Sequence, residues 1–158
     1  MKKYYCLLIW GFLLTSMTAQ NSEKDKMEQL SFLVGEWIGT SKIYENGTVI
    51  KQGAAYEKIS FDLNNSILVI ELNTDFLQLR TIVTYDQTDQ KYYYHRFSKE
   101  GFARYPAEYK DGKLIVLKDK KTRFFFTKTT DGNFQEYGEK LIGGEWIRSF
   151  EDNFQNVK

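Results

Sequence analysis

The stretch Leu30-Ser31-Phe32-Leu33-Val34-Gly35-Glu36-Trp37-Ile38-Gly39-Thr40 marks the point at which the periodicity of the chain changes. Before it, apolar residues recur at helical spacing, which predicts a short helix over Asn21–Phe32. After Gly35, apolar and polar residues alternate, and pairs of turn-forming residues recur at short intervals. This pattern is typical of an antiparallel meander of short strands.

The turn signals divide the rest of the chain into ten predicted strands. They are Glu36–Tyr44, Thr48–Leu63, Ser66–Asp75, Phe76–Tyr85, Lys91–Ser98, Phe102–Lys110, Lys113–Asp119, Thr122–Thr130, Asn133–Leu141 and Glu145–Glu151. Asn46-Gly47 and Asp111-Gly112 suit type I′ hairpin turns, and Asn64-Asn65 is a weaker form of the same signal.

A long twisted sheet without covering helices protects its edges most simply by closing on itself. We therefore predict an all-β fold, a single antiparallel up-and-down β-barrel of about ten strands with one short N-terminal helix. Pro106 falls within a predicted strand and indicates a bulge or a locally unpaired edge, because proline cannot donate to a ladder. Gly53 is predicted to bend the long second strand.

The first 19 residues have the features of a secretory signal peptide, with Lys2 and Lys3 before an apolar run and a small-residue stretch that ends at Ala19. We therefore expect residues 20–34 to form the N-terminal segment and helix, residues 35–158 to form the barrel domain, and the protein to be periplasmic or secreted. The apolar run is shorter than the roughly 20 residues that span a bilayer, so no stable membrane insertion of the mature chain is expected.

Charge gives little indication of a macromolecular partner. Without Lys2 and Lys3 the chain has 20 basic and 21 acidic residues, a net charge of −1. Basic blocks are absent, which argues against nucleic acid as a partner.

Alternation predicts which side chains face the lumen. Apolar faces are Ala55, Ile59, Phe61 and Leu63; Leu68, Ile70 and Leu72; Leu77, Leu79, Val83 and Tyr85; Ala103, Tyr105, Ala107 and Tyr109; Phe124 and Phe126. The same alternation turns Glu57 inward and, if Tyr93 and Phe97 are inward, His95 with them. Tyr92, Tyr94 and Phe125 would then face outward.

An inward Glu57 requires a partner, because burying a lone carboxylate costs several kcal/mol. It would either orient a ligand or form an internal salt bridge or hydrogen-bonded water cluster, for which Arg80, Arg96, Arg104 and Arg148 are candidate partners. The predicted ligand-binding residues are Glu57, Tyr93, His95, Tyr105, Tyr109, Phe124 and Arg148.

Signatures of catalysis and metal binding are missing from the sequence. His95 is the single histidine and Cys6 the single cysteine, and Cys6 lies in the predicted leader, so a zinc site is not expected. There is no Gly-x-Ser-x-Gly elbow and no glycine-rich phosphate loop. We predict a protein that is not an enzyme and needs no cofactor, with heme on one axial histidine left as an alternative.

The opening Leu33-Val34-Gly35-Glu36-Trp37-Ile38-Gly39 resembles that of lipocalins and related calycins, and in particular bacterial lipocalin-like secreted proteins and nitrobindin-type heme-binding barrels. The resemblance implies that Gly35 and Trp37 form the structural motif at the closed end, with Arg148 packed on Trp37. The heme ligand of nitrobindin-type barrels is a histidine near the C-terminus, and no histidine follows His95 here.

Together these features predict a barrel that binds a small apolar or amphipathic molecule in its lumen. The alternative is an interaction module that binds a protein or cell-envelope partner. It would use the loops at 86–90 or 118–121, or an exposed aromatic patch.

Overall fold

The computed structural model describes residues 23–157, so the predicted leader lies outside the described residues. Ten strands follow a short helical segment. They are β1 (Gly35–Glu45), β2 (Thr48–Asp62), β3 (Ile67–Thr74), β4 (Gln78–Asp86), β5 (Lys91–Ser98), β6 (Gly101–Lys110), β7 (Lys113–Asp119), β8 (Thr122–Lys128), β9 (Phe134–Ile142) and β10 (Glu145–Asn156).

The strands form one closed antiparallel barrel. Each strand pairs with its neighbours in sequence, and β1 pairs with β10 to complete the ring. The predicted fold class, strand number and meander order are confirmed. The largest boundary difference is at β10, which continues to Asn156 because its C-terminal half pairs with β1.

The N-terminal segment closes one end of the barrel. Residues 23–28 form the helix α1, and a 3-10 turn follows at Ser31–Leu33. Met27, Leu30 and Leu33 are completely buried. Trp37 is also buried, and its indole Nε1 donates a hydrogen bond to the Leu33 carbonyl oxygen at 3.0 Å. This end of the lumen is therefore filled with apolar side chains.

The hairpin turns follow the sequence signals. Asn46 and Gly47 both have positive φ, as do Asp111 and Gly112, which is what a type I′ turn requires. Asn64 and Asn65 also have positive φ. Leu63, predicted to face the lumen, lies in that turn instead and is 66% exposed. The inward assignment of Leu63 is therefore wrong, because the strand ends one residue earlier.

Pro106 marks a locally unpaired edge, as predicted. The β6–β7 ladder begins only at Ala107 and has four paired positions, the shortest in the barrel. The N-terminal half of β6 therefore pairs with β5 but not with β7. A cleft of about 480 Å³ lies beside this gap and is lined in part by Pro106, Leu117 and Trp146.

Most of the predicted inner face is correct. The buried core includes Ala55, Ile59, Leu68, Ile70, Leu72, Val83, Ala107 and Phe126, and Phe61, Leu77, Leu79, Tyr85, Tyr105, Tyr109 and Phe124 pack against it. On β5 the prediction is wrong. Tyr92 and Tyr94 are buried in the core, whereas Tyr93, His95 and Phe97 are on the outer face. Four aromatic rings in succession, from Tyr92 to His95, offer no polarity contrast from which alternation could be read.

Candidate functional site

Three carboxylic acids lie inside the barrel. Glu57 on β2 is completely buried, Asp152 on β10 is 2% exposed and Glu136 on β9 is 5% exposed. Charged residues are almost never buried to this extent unless they are paired. We call these three residues the carboxyl cluster.

Strand register places Glu136 and Asp152 side by side, and Glu57 interacts electrostatically with Asp152 from the other side of β1. Asp152 is paired with Glu136 on one side and with Ser41 of β1 on the other. Glu57 is paired with Trp37 of β1. The inward position on β1 between Trp37 and Ser41 is Gly39, so no side chain of β1 separates Glu57 from Asp152.

Burial dominates the electrostatics of the carboxyl cluster, because it penalises the charged form. Burial raises the pKa of Glu57, and the charge of Asp152 raises it further. Burial also raises the pKa of Glu136, with added contributions from Glu57 and Asp152. For Asp152, burial raises the pKa to about 6 even though a hydrogen bond from Ser41 lowers it.

Three oxygens of the cluster have no hydrogen-bond partner among residues 23–157. They are both carboxyl oxygens of Glu57 and Oδ1 of Asp152. A buried polar group without a partner costs roughly 1–3 kcal/mol, and more if it is charged. The interior is therefore left with acceptor capacity that the described part of the chain does not use.

The arginines considered as partners of Glu57 each have a different partner. Arg80 pairs with Glu71, Arg96 with Glu100 and Arg148 with Glu151, while Arg104 lies over the Tyr93 ring. The internal salt bridge considered from sequence is not formed among the described residues.

Neutral polar groups surround the carboxyl cluster. Ser41, Thr81 and Tyr94 are all buried and face inward. Burial raises the pKa of the Tyr94 hydroxyl, with a further contribution from the charge of Glu136, while a hydrogen bond with Thr81 lowers it. The phenol therefore stays neutral at physiological pH.

The lumen is less tightly sealed away from the N-terminal segment. Inner-face residues there are half-buried rather than buried, which shows that solvent reaches them: Ile43, Leu79, Ala103, Tyr105, Phe124 and Phe150. Phe124 contacts both Tyr105 and Phe150, with ring centroids 6.5 Å and 5.6 Å away. The inner wall is thus aromatic and solvent-accessible away from the N-terminal segment, and polar and buried at the carboxyl cluster.

The predicted ligand-binding residues are divided between the two faces of the wall. Glu57, Tyr105, Tyr109 and Phe124 face inward, and Tyr109 is near the closed end, where it contacts Phe32. Tyr93 and His95 face outward, so their assignment to the lumen is wrong. Burial, reinforced by the charge of Arg104, lowers the pKa of His95.

Arg148 also lies outside the barrel. Its guanidinium carbon lies 3.8 Å from the centre of the Tyr137 ring, and Nη1 is 2.9 Å from the Glu151 carboxylate. The expected packing of Arg148 on Trp37 is therefore wrong, and Phe134 is the aromatic neighbour of Trp37. The register shifts between Arg148 and Phe150 on β10. Because of this shift, Arg148 faces outward although it is an even number of residues from the inward Phe150 and Asp152.

A contiguous aromatic patch lies on the outer face of β5 and β6. We define the outer aromatic patch as Tyr93, His95, Phe97 and Phe102. Phe102 is 61% exposed and contacts both Phe97 and His95. Phe125 faces outward, as predicted, but it is stacked against Tyr137 there and is only 8% exposed.

A cleft of about 930 Å³ is lined mainly by outward residues of β1, β2, β3 and β10. Ile38, Thr40, Tyr56 and Asn153 belong to it. None of the predicted ligand-binding residues lines it.

Sequence reasoning missed Glu136 and Asp152. Glu136 alternates with the core aromatic Phe134 inside its predicted strand, and this signal could have found it. Asp152 alternates with Phe154 in the same way, but the last strand was predicted to end at Glu151, so the signal could not be read there.

Within residues 23–157, no group of three or more His, Cys, Asp or Glu side chains is arranged to hold a metal ion. No helix in the same range has the length and apolar character needed to cross a membrane.

No protein-family model matches the chain, and no curated protein matches it either. Among solved structures, the chain matches a protein of unknown function from the DUF3598 family of Nostoc punctiforme PCC 73102. The two are 9% identical with a TM-score of 0.29, and the match covers 83% of this chain and 98% of that chain. The assignment of this protein to the ten-stranded closed β-barrels rests on its own strand pairing.

Proposed function

We propose that this protein is a non-enzymatic, lipocalin-like barrel that binds a small amphipathic molecule in its lumen, without a resident cofactor. Because a leader is expected, we propose that this activity takes place in the periplasm or outside the cell. The apolar part of the ligand would contact Tyr105, Phe124 and Phe150, and its polar end would reach the carboxyl cluster. A binding site with a mainly apolar lining and a few polar groups is the usual form of a small-molecule site.

The observation that carries this proposal is the state of Glu57. It is completely buried, and neither of its carboxyl oxygens has a partner among the described residues. Because such a group destabilises the fold, its presence calls for a compensating role, and a ligand that donates hydrogen bonds supplies one.

The test is titration with an uncharged fluorophore, N-phenyl-1-naphthylamine, on wild type and two neighbouring variants. Ala103→Trp places an indole on the inner face of β6. Phe102→Trp places an indole on the outer face at the neighbouring position and serves as the control. We expect saturable binding of one fluorophore per chain, abolished by Ala103→Trp and kept by Phe102→Trp. Absence of saturable binding to wild type, or equal loss in both variants, would overturn the proposal.

A second function is favoured by the outer aromatic patch. Its exposed rings are contiguous, and Arg104, whose guanidinium lies 3.5 Å from the centre of the Tyr93 ring, forms no ion pair with any carboxylate of residues 23–157. A protein segment that combines apolar side chains with a carboxylate fits this surface, because it would cover the rings and pair with Arg104.

Site-specific photo-crosslinking in the native cells tests this second function. A crosslinker replaces Phe102 in one variant and Tyr56, which is exposed on β2, in the control. The proposal predicts one crosslinked partner at Phe102, through an acidic apolar segment, that is lost in Arg104→Glu. Equal products at both positions, or a crosslink to a second copy of this chain, would contradict it.

A further inference from the structure

We propose that the ligand carries a primary ammonium group, which binds between Glu57 and Asp152. This inference rests on the proposed function, since it names the chemical class of the molecule in the same lumen. It follows from the number, type and charge of the groups that surround the position.

The number of unused acceptors matches an ammonium group. Glu57 contributes two oxygens without a partner and Asp152 contributes one, all in side chains that are at least 98% buried. A primary ammonium has three N–H donors and no acceptor. An alcohol has one O–H donor and can therefore supply a hydrogen bond to only one of these oxygens.

The charges around the carboxyl cluster also favour an ammonium ligand over a carboxylate ligand. The groups that act electrostatically on Glu57 and Glu136 are carboxyls, with Asp152 raising the pKa of both. Tyr94, which faces the cluster from β5, is neutral. Arg96 on the same strand also faces the lumen, opposite Thr81 and Ala103, and acts electrostatically on Tyr94. Its charge is matched by the Glu100 carboxylate, 3.5 Å away. A carboxylate ligand would be repelled here, whereas an ammonium would compensate the charge of the cluster.

Binding of the ammonium group is coupled to the release of a proton. In the free protein, burial and the charge of Asp152 raise the pKa of Glu57 and so favour its protonated form. When R–NH3+ enters, the Glu57 carboxyl loses its proton to solvent and becomes the carboxylate that accepts the new hydrogen bonds. The charge of the interior is then conserved, and one proton appears in solution for each ammonium bound. Affinity for an amine should therefore rise with pH over the range in which free Glu57 is protonated.

The experiment compares three ligands with the same ten-carbon chain, decylamine, decanol and decanoate, by displacement of N-phenyl-1-naphthylamine. We expect decylamine to bind about tenfold more tightly than decanol, and decanoate more weakly than both. Glu57→Gln should remove the advantage of decylamine over decanol. Glu108 is an exposed acid on the outer face of β6, so Glu108→Gln is the control and should leave that advantage intact.

Calorimetry of decylamine binding to wild type in two buffers of different ionisation enthalpy provides a second readout that needs no variant. Proton release on binding supports the inference. Equal affinities for decylamine and decanol, or no proton release, overturn it while leaving the proposed function in place. If neither the fluorophore nor any of the three ligands binds, the proposed function itself fails.

Discussion

Glu57 and Asp152 lie on the two strands that flank β1, and the inward position on β1 between their neighbours is Gly39. The absence of a side chain at Gly39 allows two buried carboxyls to influence each other across a strand. Each of them has at least one oxygen without a partner among residues 23–157. The polarity of the barrel interior is therefore organised around this pair.

The carboxyl cluster should make the folded state less stable at high pH. The pKa of Asp152 is raised to about 6, and those of Glu57 and Glu136 are raised as well, so the folded chain binds more protons than the unfolded chain above the ordinary carboxyl range. Stability then falls as pH rises from about 4 through 6 and beyond. Urea unfolding should show a loss of about 1–3 kcal/mol between pH 5 and pH 8.

Glu57→Gln should reduce that loss, because the amide has no proton to give up. The exposed Glu108→Gln is the matched control and should follow the wild-type pH dependence. A wild type that becomes more stable between pH 5 and pH 8 would show that the buried carboxyls are compensated.

Trp37 should be a major source of stability at the closed end. It is buried, and its indole N–H donates a hydrogen bond to the Leu33 carbonyl oxygen. The centroid of its ring lies 5.5 Å from that of the Phe134 ring. Trp37→Ala should cost about 3–5 kcal/mol in the free energy of unfolding. Trp146→Ala is the control, because Trp146 is 38% exposed and contacts Arg123 on the outer face, and should cost less than about 1 kcal/mol. Similar losses in the two variants would contradict this role of Trp37.

Gly39 should not tolerate a side chain. A Cβ atom at this position would lie 1.8 Å from the backbone carbonyl oxygen of Asn153. Gly39→Ala must therefore move β1 away from β10, and we expect a loss of more than about 3 kcal/mol. At Gly53 the corresponding clash is with the Asp75 side chain, which can rotate, so Gly53→Ala should cost less. Chemical denaturation of both variants provides the comparison, and a milder effect at Gly39 would contradict the close approach of the two strands.

Arg148 and Trp37 should be energetically independent, because the guanidinium stacks on Tyr137 outside the barrel. A double-mutant cycle of Arg148→Ala with Trp37→Phe should give a coupling energy below about 0.5 kcal/mol. The parallel cycle of Arg148→Ala with Tyr137→Leu should give about 0.5–1 kcal/mol. A larger coupling to Trp37 than to Tyr137 would favour the arrangement expected from the calycin resemblance.

The sequence predicted the fold well because its signals are local. Pairs such as Asn46-Gly47 and Asp111-Gly112 require a backbone conformation that few other residues adopt, and Pro106 cannot donate to a ladder. These features determine where strands end and which edge is unpaired without reference to the rest of the molecule.

The candidate site was only partly predictable, because it depends on which strands pair and on which residues of each strand face the lumen. Glu57 was found because its strand has a clear apolar face. Tyr93 and His95 were misplaced because Tyr92 to His95 offers no contrast between faces. Asp152 joins the site through the pairing of β10 with β1, the ring closure that links the two ends of the sheet.

A carboxyl ¹³C NMR titration of Glu57, assigned by its absence in Glu57→Gln, can follow the proton of this carboxyl in the free protein and with saturating decylamine. We expect the Glu57 carboxyl to titrate well above the ordinary glutamate range in the free protein and at a lower pH when decylamine is bound. A Glu57 carboxyl that titrates in the ordinary range in the free protein, or at the same pH with and without decylamine, would contradict this expectation.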